Sequence, residues 1–482
     1  MQRSILALSI SLALIAGPAM AGQKLYVQNQ GNSTLTVIDS WTGVVLGDFP
    51  TKTNVRDLDA AHHAEFVVIA GGSDLGLAHS ANNYRRMDLQ FRNAGLNSTA
   101  VGLSPDDRYI YLAQTDPDWV YRVDLGWGGW FQDDCLGKGP DDHHDCPISD
   151  SAILELDPQV ADPLHMAVCD DGAVYVVGAS GQVARHEASS NGFGRLGVAP
   201  APDDPRGIAC TPDNGVFIMS GDRILTELSA GPNPVVTAHT NIPVADPGRI
   251  DVDPRHFRGG FQVLLTDRDS GEIVRFQNGA VIERIALWPD KFGNRRLPWA
   301  VTASAHGWLG TANQGVEGAT ILYQSWAQLP RGNGPQPIDA DFGPVLGAAV
   351  EANPHSLEFV YGVGGSSGGS RQTMELRSTG TSDLNIASLQ IDGDRAFTIA
   401  GHNCTNGPLA PGQTCDVTIE FANPGGNGAP GYAHFRADLR VTHNGTQIFM
   451  NDFPLQAIHF KEYLAELEKS GLSAQEEDFY LR

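Results

Sequence analysis

The alternation of apolar and polar residues over the first two thirds of the chain predicts short β-strands joined by tight turns. Residues 206–228, RGIACTPDNGVFIMSGDRILTEL, show the pattern most plainly. Residues 208–210 and 216–219 are apolar runs, and residues 224–228 alternate apolar with polar. Residues 212–215 favour a turn, because Pro fixes φ and Gly accepts a positive φ. One such antiparallel sheet cannot bury both of its faces, so it requires neighbouring copies.

The same pattern recurs along the chain. Residues 166–177, MAVCDDGAVYVV, repeat the first two strands, with Cys169 at the position of Cys210. The remaining copies are residues 25–39, 66–89, 101–125, 250–276 and 301–323. A period of roughly 40–45 residues with four short strands per unit is typical of a β-propeller. We therefore predict a seven-bladed propeller over residues 22–328.

The two ends of the chain predict segments outside the propeller. Residues 1–21 have the form of a signal peptide, with Arg3, an apolar stretch and an Ala-x-Ala site at residues 19–21. We therefore expect a periplasmic or secreted protein, in which disulfides can form. Residues 461–482 are acidic, with leucines at helical spacing, and predict a short C-terminal helix without a transmembrane segment.

A second domain is predicted between these ends. Residues 329–344 are rich in Pro and Gly and are expected to be a linker. Residues 345–460 contain seven short strands separated by turn signals, which favours an immunoglobulin-like β-sandwich. The predicted strands are residues 357–361, 372–377, 384–391, 397–400, 415–421, 433–442 and 447–455. The predicted fold class is thus all-β.

Two parts of the chain resemble known families. Residues 26–29 (YVQN), 37–39 (VID) and 104–111 (SPDDRYIY) resemble the seven-bladed YVTN/lactonase-like propellers of bacterial exported proteins. This resemblance implies architecture more than function. Residues 409–421 (LAPGQTCDVTIEF), preceded by residues 376–380, resemble the choice-of-anchor D family, an immunoglobulin-like module of bacterial surface and secreted proteins. That second resemblance also implies that its two cysteines pair.

All six cysteines are predicted to form disulfides. The expected pairs are Cys135–Cys146, Cys169–Cys210 and Cys404–Cys415. The first and third would close short loops, whereas the second rests on equivalent positions in adjacent blades. The first lies in an insertion, residues 126–151, that is rich in Asp and His.

The charge balance excludes some partners. The chain has 32 Lys and Arg against 56 Asp and Glu, a formal net charge of −24. No basic run appears, and neutralisation of phosphates dominates nucleic-acid binding. We therefore expect neither a nucleic-acid partner nor binding to an anionic membrane surface.

The starts of the blades predict a ligand site. Pro163, Pro205, Pro247 and Pro298 stand at the starts of four blades. The residues beside them, together with Arg56 before blade two, would form a ring around the central channel. The candidate ligand-binding residues are Arg56, His165, Arg206, Arg249 and Trp299. Guanidinium groups bind carboxylates in a fork and stack on aromatic faces, which suits an anionic or sugar-like ligand. The alternative is that these arginines form ion pairs with the neighbouring Asp57, Asp204 and Asp246 and only join the blades.

Metal and catalytic motifs are weak. The pairs at residues 62–63 and 143–144 are His-His and could ligate zinc or copper, but adjacent residues on a strand point in opposite directions. The carboxylates of the loop at residues 133–146 could hold calcium, without EF-hand spacing. Residues 267–271 also resemble a calcium motif but fit a strand turn. No nucleophile motif is present, so we assign no catalytic residue, metal or cofactor.

The sequence therefore favours an exported, non-enzymatic binding or scaffold protein. The propeller would be the recognition face, and the sandwich would be a spacer or docking module. The partner would be a protein, a glycan or a small anionic ligand. The alternative is a hydrolytic enzyme, lactonase- or lyase-like, acting in the propeller channel. Convergent carboxylates at the channel mouth would favour the enzyme, and an arginine-lined mouth with few carboxylates would favour binding.

Overall fold

The computed structural model of the 482-residue chain describes parts of its length. They are residues 23–40, 43–51, 54–62, 66–71, 74–79, 86–90, 97–116, 118–125, 146–147, 153–156, 160–189, 192–257, 260–290, 292–304, 308–314, 319–323, 327–331, 337–345, 347–353, 356–361, 370–422, 435–445 and 452–459. The regular elements within these ranges are all β-strands. No helix in them has the length and apolar character needed to cross a membrane. The signal segment, Cys135 and the C-terminal tail lie outside the described residues, so the structure does not describe the predicted Cys135–Cys146 pair.

The first twenty-nine strands build the propeller. In chain order they are β1 (Gln23–Asn29), β2 (Thr34–Asp39), β3 (Val45–Pro50), β4 (Asp57–Ala60), β5 (Phe66–Gly71), β6 (Asp74–His79), β7 (Arg86–Gln90), β8 (Asn97–Leu103), β9 (Tyr109–Thr115), β10 (Trp119–Asp124), β11 (Cys146–Pro147), β12 (Ile153–Leu156), β13 (Pro163–Val168), β14 (Ala173–Gly178), β15 (Gln182–Ser189), β16 (Gly192–Pro200), β17 (Pro205–Cys210), β18 (Val216–Ser220), β19 (Ile224–Leu228), β20 (Val236–Asn241), β21 (Pro247–Phe257), β22 (Gly260–Asp267), β23 (Glu272–Gln277), β24 (Ala280–Ala286), β25 (Leu297–Ala303), β26 (Trp308–Gln314), β27 (Ala319–Tyr323), β28 (Ala327–Arg331) and β29 (Pro337–Val345).

These strands form seven sheets, which confirms the predicted propeller. From the inner strand outward the sheets are β29-β1-β2-β3, β4-β5-β6-β7-β11, β8-β9-β10-β12, β13-β14-β15-β16, β17-β18-β19-β20, β21-β22-β23-β24 and β25-β26-β27-β28, called blades one to seven. The inner strands contact one another in the order β29, β4, β8, β13, β17, β21, β25 and back to β29. The ring of blades is therefore closed around a central channel.

The ring closes by pairing two distant parts of the chain. β29 runs antiparallel to β1, with Ala340 opposite Val27 and Asp341 opposite Tyr26. The expected linker at residues 329–344 is thus replaced by the end of β28 and most of β29, and the propeller extends past residue 328 to Val345. Residues 338–342, IDADF, follow the period-2 pattern of a strand. The linker was predicted instead because Pro and Gly residues stand at the ends of these strands. This pairing covers a strand edge that would otherwise be exposed.

Apolar side chains fill the spaces between neighbouring blades. Each described core cluster of the propeller draws on two adjacent blades; one joins Tyr26 and Val37 of blade one to Val67 and Ile69 of blade two. The others join blades three with four, four with five, five with six, six with seven and seven with one. All six residues of β5 are buried. A strand covered on both faces has a continuous apolar sequence, which explains why these runs do not alternate strictly.

Two of the three predicted disulfides are confirmed. Cys169 and Cys210 follow or end the inner strands of blades four and five, with their Cα atoms 5.4 Å apart. The Cys404–Cys415 disulfide has a Cα separation of 5.1 Å. The first bond links two adjacent blades of the propeller close to the channel.

The second module consists of two packed four-stranded sheets. Its strands are β30 (Val350–Asn353), β31 (Leu357–Tyr361), β32 (Ser370–Ser378), β33 (Ile386–Gly393), β34 (Phe397–His402), β35 (Thr414–Phe421), β36 (Phe435–His443) and β37 (Asp452–His459). The sheet orders are β30-β32-β35-β34 and β31-β37-β36-β33, and one core containing Phe359, Phe421 and Phe453 lies between them. β30 is an additional strand, and the last strand is described over Asp452–His459, past the predicted end at residue 455. The immunoglobulin-like classification stays a prediction.

Removing the blade-linking disulfide should destabilise the propeller. We expect Cys169→Ala/Cys210→Ala to lower the free energy of unfolding by about 2–4 kcal/mol, because the bond restricts the unfolded chain. The measurement is denaturant unfolding under non-reducing conditions, with Cys404→Ala/Cys415→Ala as a control that alters only the second module. Peptide mapping that found a free thiol at Cys169 or Cys210 would contradict the assignment.

Candidate functional site

The inner strands of three blades place carboxyl groups in the central channel. Alternate residues of a strand share one face, so the Asp-x-Asp sequences of β4 and β29 each direct two side chains toward the axis. Asp251 of β21 adds a fifth. The carboxyls of Asp57, Asp59, Asp251, Asp339 and Asp341 line one cavity of about 250 Å³ inside the channel. Sequence reasoning missed this set, although the period-2 spacing of its acids was visible.

These carboxyls bind the backbone of the next blade. Five backbone N–H groups donate to them: Leu58 to Asp339 at 3.0 Å, Ala60 to Asp341 at 2.9 Å, Val101 to Asp57 at 2.9 Å, Leu103 to Asp59 at 2.6 Å and Ala303 to Asp251 at 2.7 Å. The contacts join blade one to two, two to three, and six to seven. Inner strands form no sheet hydrogen bonds across the channel, so their free N–H groups need such acceptors. The acids of the channel therefore link blades one, two and three to one another, and blade six to blade seven.

Arg249 of blade six crosses the channel to blades one and two. Its Nη1 donates to Asp57 and, at 2.7 Å, to Asp339, and its Nη2 donates to the carbonyl oxygen of Arg56 at 2.7 Å. The Arg249 side chain is 17% exposed and both carboxylates are 9% exposed. Burial by itself lowers the pKa of Arg249, but Asp339 and Asp57 raise it further than burial lowers it. The guanidinium of Arg249 is thus charged and lies between the channel interior and the mouth.

The deeper carboxyls retain protons more strongly than free aspartates. Asp59 and Asp341 hydrogen bond to each other, and burial, reinforced for Asp59 by the charge of Asp341, raises the pKa of both. Thr302 Oγ1 also donates to Asp341, at 3.1 Å. Burial raises the pKa of Asp251 to about 7. At neutral pH the channel therefore carries less negative charge than its five carboxyls suggest.

The five predicted ligand-binding residues line one cavity. Arg56, His165, Arg206, Arg249 and Trp299 surround a mouth of about 300 Å³. His165 also lines the channel interior, and burial followed by the charge of Arg249 lowers its pKa to about 4. The imidazole is therefore neutral at pH 7. Whether this mouth binds a ligand stays a prediction.

The alternative of simple ion pairing holds for part of the mouth. Arg206 donates to Asp204 of its own blade, with Nη2 and Oδ2 2.8 Å apart. Asp246, expected to pair with Arg249, pairs instead with Arg268. The guanidinium carbon of Arg268 lies 4.3 Å from the centre of the Trp299 ring. Arg268 is thus a mouth residue that sequence reasoning missed, since it follows β22, the second strand of blade six, rather than a blade-entry proline.

The described part of the chain contains no group of three or more His, Cys, Asp or Glu residues that could hold a metal ion. His62 has Nδ1 3.3 Å from a carboxylate oxygen of Asp107, and its backbone N–H donates to the same oxygen at 2.7 Å. Asp267 accepts backbone N–H groups from residues 245, 246 and 269, each at 3.2 Å, and Gly271 has a φ of 74°, as expected for a turn. Residues 63 and 143–144 and the loop at 133–145 lie outside the described residues.

Comparisons with known proteins show similar solved structures at low sequence identity. No protein-family model and no curated protein matches the chain. A streptogramin B lyase shares 13% identity at a TM-score of 0.45, covering 61% of this chain and 90% of its own. The virginiamycin B lyase of Staphylococcus aureus shares 13% at 0.44, covering 61% and 92%. The Myceliophteria thermophila Cps50 (Swd1) β-propeller domain shares 12% at 0.44, covering 62% and 96%. Function must therefore be argued from the geometry of this chain.

Removing the guanidinium of Arg249 should destabilise the fold far more than removing that of Arg206, which is exposed at the mouth. We expect Arg249→Ala to lower the free energy of unfolding by about 3–5 kcal/mol, because it leaves two buried carboxylates without their cation. Arg206→Ala breaks an exposed pair and should cost less than about 1 kcal/mol. Urea unfolding at pH 7 measures both. Equal losses in the two variants would show that Arg249 is not a structural tie.

Asp251 should make stability depend on pH. Its folded pKa of about 7 exceeds the value of about 4 in an unfolded chain. Its contribution is therefore complete below about pH 4 and is lost as the pH rises through about 7, since the folded state binds the extra proton. From pH 5 to 8 the wild type should lose on the order of 2 kcal/mol more stability than Asp251→Asn.

The asparagine variant should be less stable at low pH, because it loses one acceptor for a backbone N–H. The informative quantity is therefore the slope of unfolding free energy against pH, rather than its absolute value. Asp222→Asn, on an exposed turn, is the matched control and should keep the wild-type slope. A slope that is unchanged in Asp251→Asn would contradict the assignment.

Proposed function

We propose that the protein is an exported, non-enzymatic binding protein that takes a small anionic ligand at the mouth of the propeller. The observation that carries this proposal is the concentration of guanidinium groups at the mouth. Its described lining contains four arginines, Arg56, Arg206, Arg249 and Arg268, and one carboxylate, Asp204. The whole chain has a net charge of −24. Arg206, Arg249 and Arg268 are paired with carboxylates, so an anionic ligand would join or replace those carboxylates at the guanidinium groups.

The residues of the mouth would have different roles in binding the anion. Arg249 is held by Asp57 and Asp339, so its guanidinium has a fixed position in the lining of the cavity. Arg206 is 36% exposed and can exchange the carboxylate of Asp204 for one on the ligand. Arg268 and Trp299 form a stacked wall suited to a planar carboxylate. The second module would act as a spacer or docking module.

The alternative function, a hydrolytic enzyme that uses the channel carboxyls, is less well supported than binding. Asp251 has a pKa of about 7, which suits a general acid or base. Yet its two carboxylate oxygens accept the N–H groups of Val252 and Ala303, so both are engaged with the backbone. Asp59 and Asp341 likewise accept N–H groups from the next blade. These contacts support a structural role, and binding remains the better-supported function.

The test uses citrate as an anionic probe. Citrate should raise the melting temperature of the wild type above that in sodium chloride of equal ionic strength, and calorimetry should give a dissociation constant. Arg56→Ala and Arg206→Ala should each weaken citrate binding by about 10-fold or more, since a charge-assisted hydrogen bond contributes about 1.5–3 kcal/mol.

Two variants make the test specific. Asp204→Ala/Arg206→Ala removes one charge of each sign, so weakened binding would identify the guanidinium rather than the net charge. Arg371→Ala removes an exposed arginine paired with Glu420 on the second module and should bind citrate like the wild type. Citrate that stabilises no better than chloride, or equal losses in Arg371→Ala and Arg206→Ala, would overturn the proposal.

A further inference from the structure

The inner strands of blades four and five have edges that face the central channel. In an antiparallel ladder, alternate residues direct both their N–H and their C=O groups toward the neighbouring strand. The N–H groups of Cys169 and Thr211 donate within their own blades, to the carbonyl oxygens of Ala173 at 2.8 Å and Gly215 at 2.9 Å. The alternate residues of β13 and β17 therefore direct their backbone groups away from the sheet and toward the channel. They are Met166, Val168, Ile208 and Cys210, and are called the open edges.

The open edges lack the carboxyl acceptors that serve blade three. There the equivalent N–H groups, of Val101 and Leu103, donate to Asp57 and Asp59 of blade two. Among the described residues, none accepts a hydrogen bond from the N–H groups of the open edges. The positions equivalent to the two acids are Ala100 and Gly102 in blade three and His165 and Ala167 in blade four. Three of these four positions have no side-chain polar atom, so they cannot replace a carboxyl group.

Space for a ligand lies against the open edges. All four residues line the channel cavity of about 250 Å³. Val168 and Cys210 are half-buried, so the cavity reaches the inner strands at these residues. The two residues on each strand are two positions apart, a distance of about 6–7 Å in an extended chain. Carbonyl groups two residues apart on a second extended chain have the same spacing, which is how a peptide adds to the edge of a sheet.

The charges around the cavity favour a neutral group inside the channel. Five carboxyls, on blades one, two and six, line the same cavity and would repel a negative charge placed among them. A peptide group is neutral and has both a donor and an acceptor. The mouth adjoins the cavity, because Arg249 and His165 line both. A ligand can therefore have its backbone in the channel and its carboxylate beside Arg206 at the mouth.

We propose that the propeller binds a short peptide, with its C-terminal carboxylate at the mouth and its backbone hydrogen-bonded to the open edges. The position of the carboxylate rests on the proposed function. The backbone contacts do not, because the mouth and the open edges share none of their residues. The carbonyl groups of the peptide would supply acceptors to two blades for which the described channel acids supply none.

The test uses the full chain and N-acetyltriglycine as the probe in calorimetry at constant ionic strength. The matched chemical control is N-acetyltrisarcosine, which keeps the carboxylate but has methyl groups in place of the N–H donors that pair with a sheet edge. We expect the triglycine to bind at least about 10-fold more tightly than this analogue. Equal binding of the two would overturn the backbone contacts, and the proposed function would stand if citrate still bound. A preference for the triglycine without citrate binding would instead overturn the anion site and keep the backbone contacts.

A matched pair of variants places the peptide at the open edges. Ala167 is equivalent to Asp59, whose carboxyl accepts the N–H group of Leu103 at 2.6 Å. In Ala167→Asn the amide oxygen should accept the N–H group of Cys210 without adding charge. This variant should bind N-acetyltriglycine about 10-fold more weakly, the loss of one or two hydrogen bonds, and citrate like the wild type.

The control is Ala387→Asn, the same substitution at an exposed position of β33, which should bind both probes like the wild type. Equal affinity for N-acetyltriglycine in Ala167→Asn and Ala387→Asn would overturn the proposal. The comparison of the two peptides uses the wild type, so it decides the matter even if Ala167→Asn does not fold.

Discussion

The propeller depends on the hydrogen bonds between inner-strand aspartates and the backbone of the next blade. An inner strand has a sheet neighbour on one side only, and its other edge faces the channel. The acids of β4, β21 and β29 accept N–H groups from that edge, as in the 3.0 Å contact from Leu58 to Asp339. Apolar packing between blades supplies the bulk of the stability, but it is non-directional. The carboxyl contacts set how neighbouring inner strands align.

The concentration of acids has an electrostatic cost that Arg249 offsets. Two carboxylates near each other repel, and burial strengthens the repulsion because the local dielectric constant is low. The guanidinium of Arg249 lies between Asp57 and Asp339 and reduces this repulsion at the mouth. Deeper in the channel Asp59 and Asp341 instead hydrogen bond to each other. The channel thus has an arginine-rich mouth and a carboxyl-rich interior.

The second module closes the carboxyl-rich end. Its β32 brings buried hydroxyl groups to the same cavity as the channel acids. The module has its own apolar core, which contains Phe359, Phe421 and Phe453.

The sequence by itself determined the repeat, most strands and the ring of candidate residues. The strands β17, β18 and β19 occur where the pattern of residues 206–228 predicts them, because strand propensity and turn chemistry are local. Equivalent positions in successive copies predicted the Cys169–Cys210 bond and the shared cavity of Arg206 and Arg249. A repeat makes spatial neighbours readable from sequence, since each copy occupies the same place in its blade.

Only the tertiary structure decided how the ring closes and which groups pair across it. β29 joins β1 over a separation of about 300 residues, and no local pattern distinguishes such a strand from a linker with Pro and Gly at its ends. The partners of Arg249 come from blades one and two, and Arg268 enters the mouth from the turn after β22. Sequence periodicity shows which face of a strand a charge occupies. It does not show which distant charge lies opposite, because that distance exists only after the ring has closed.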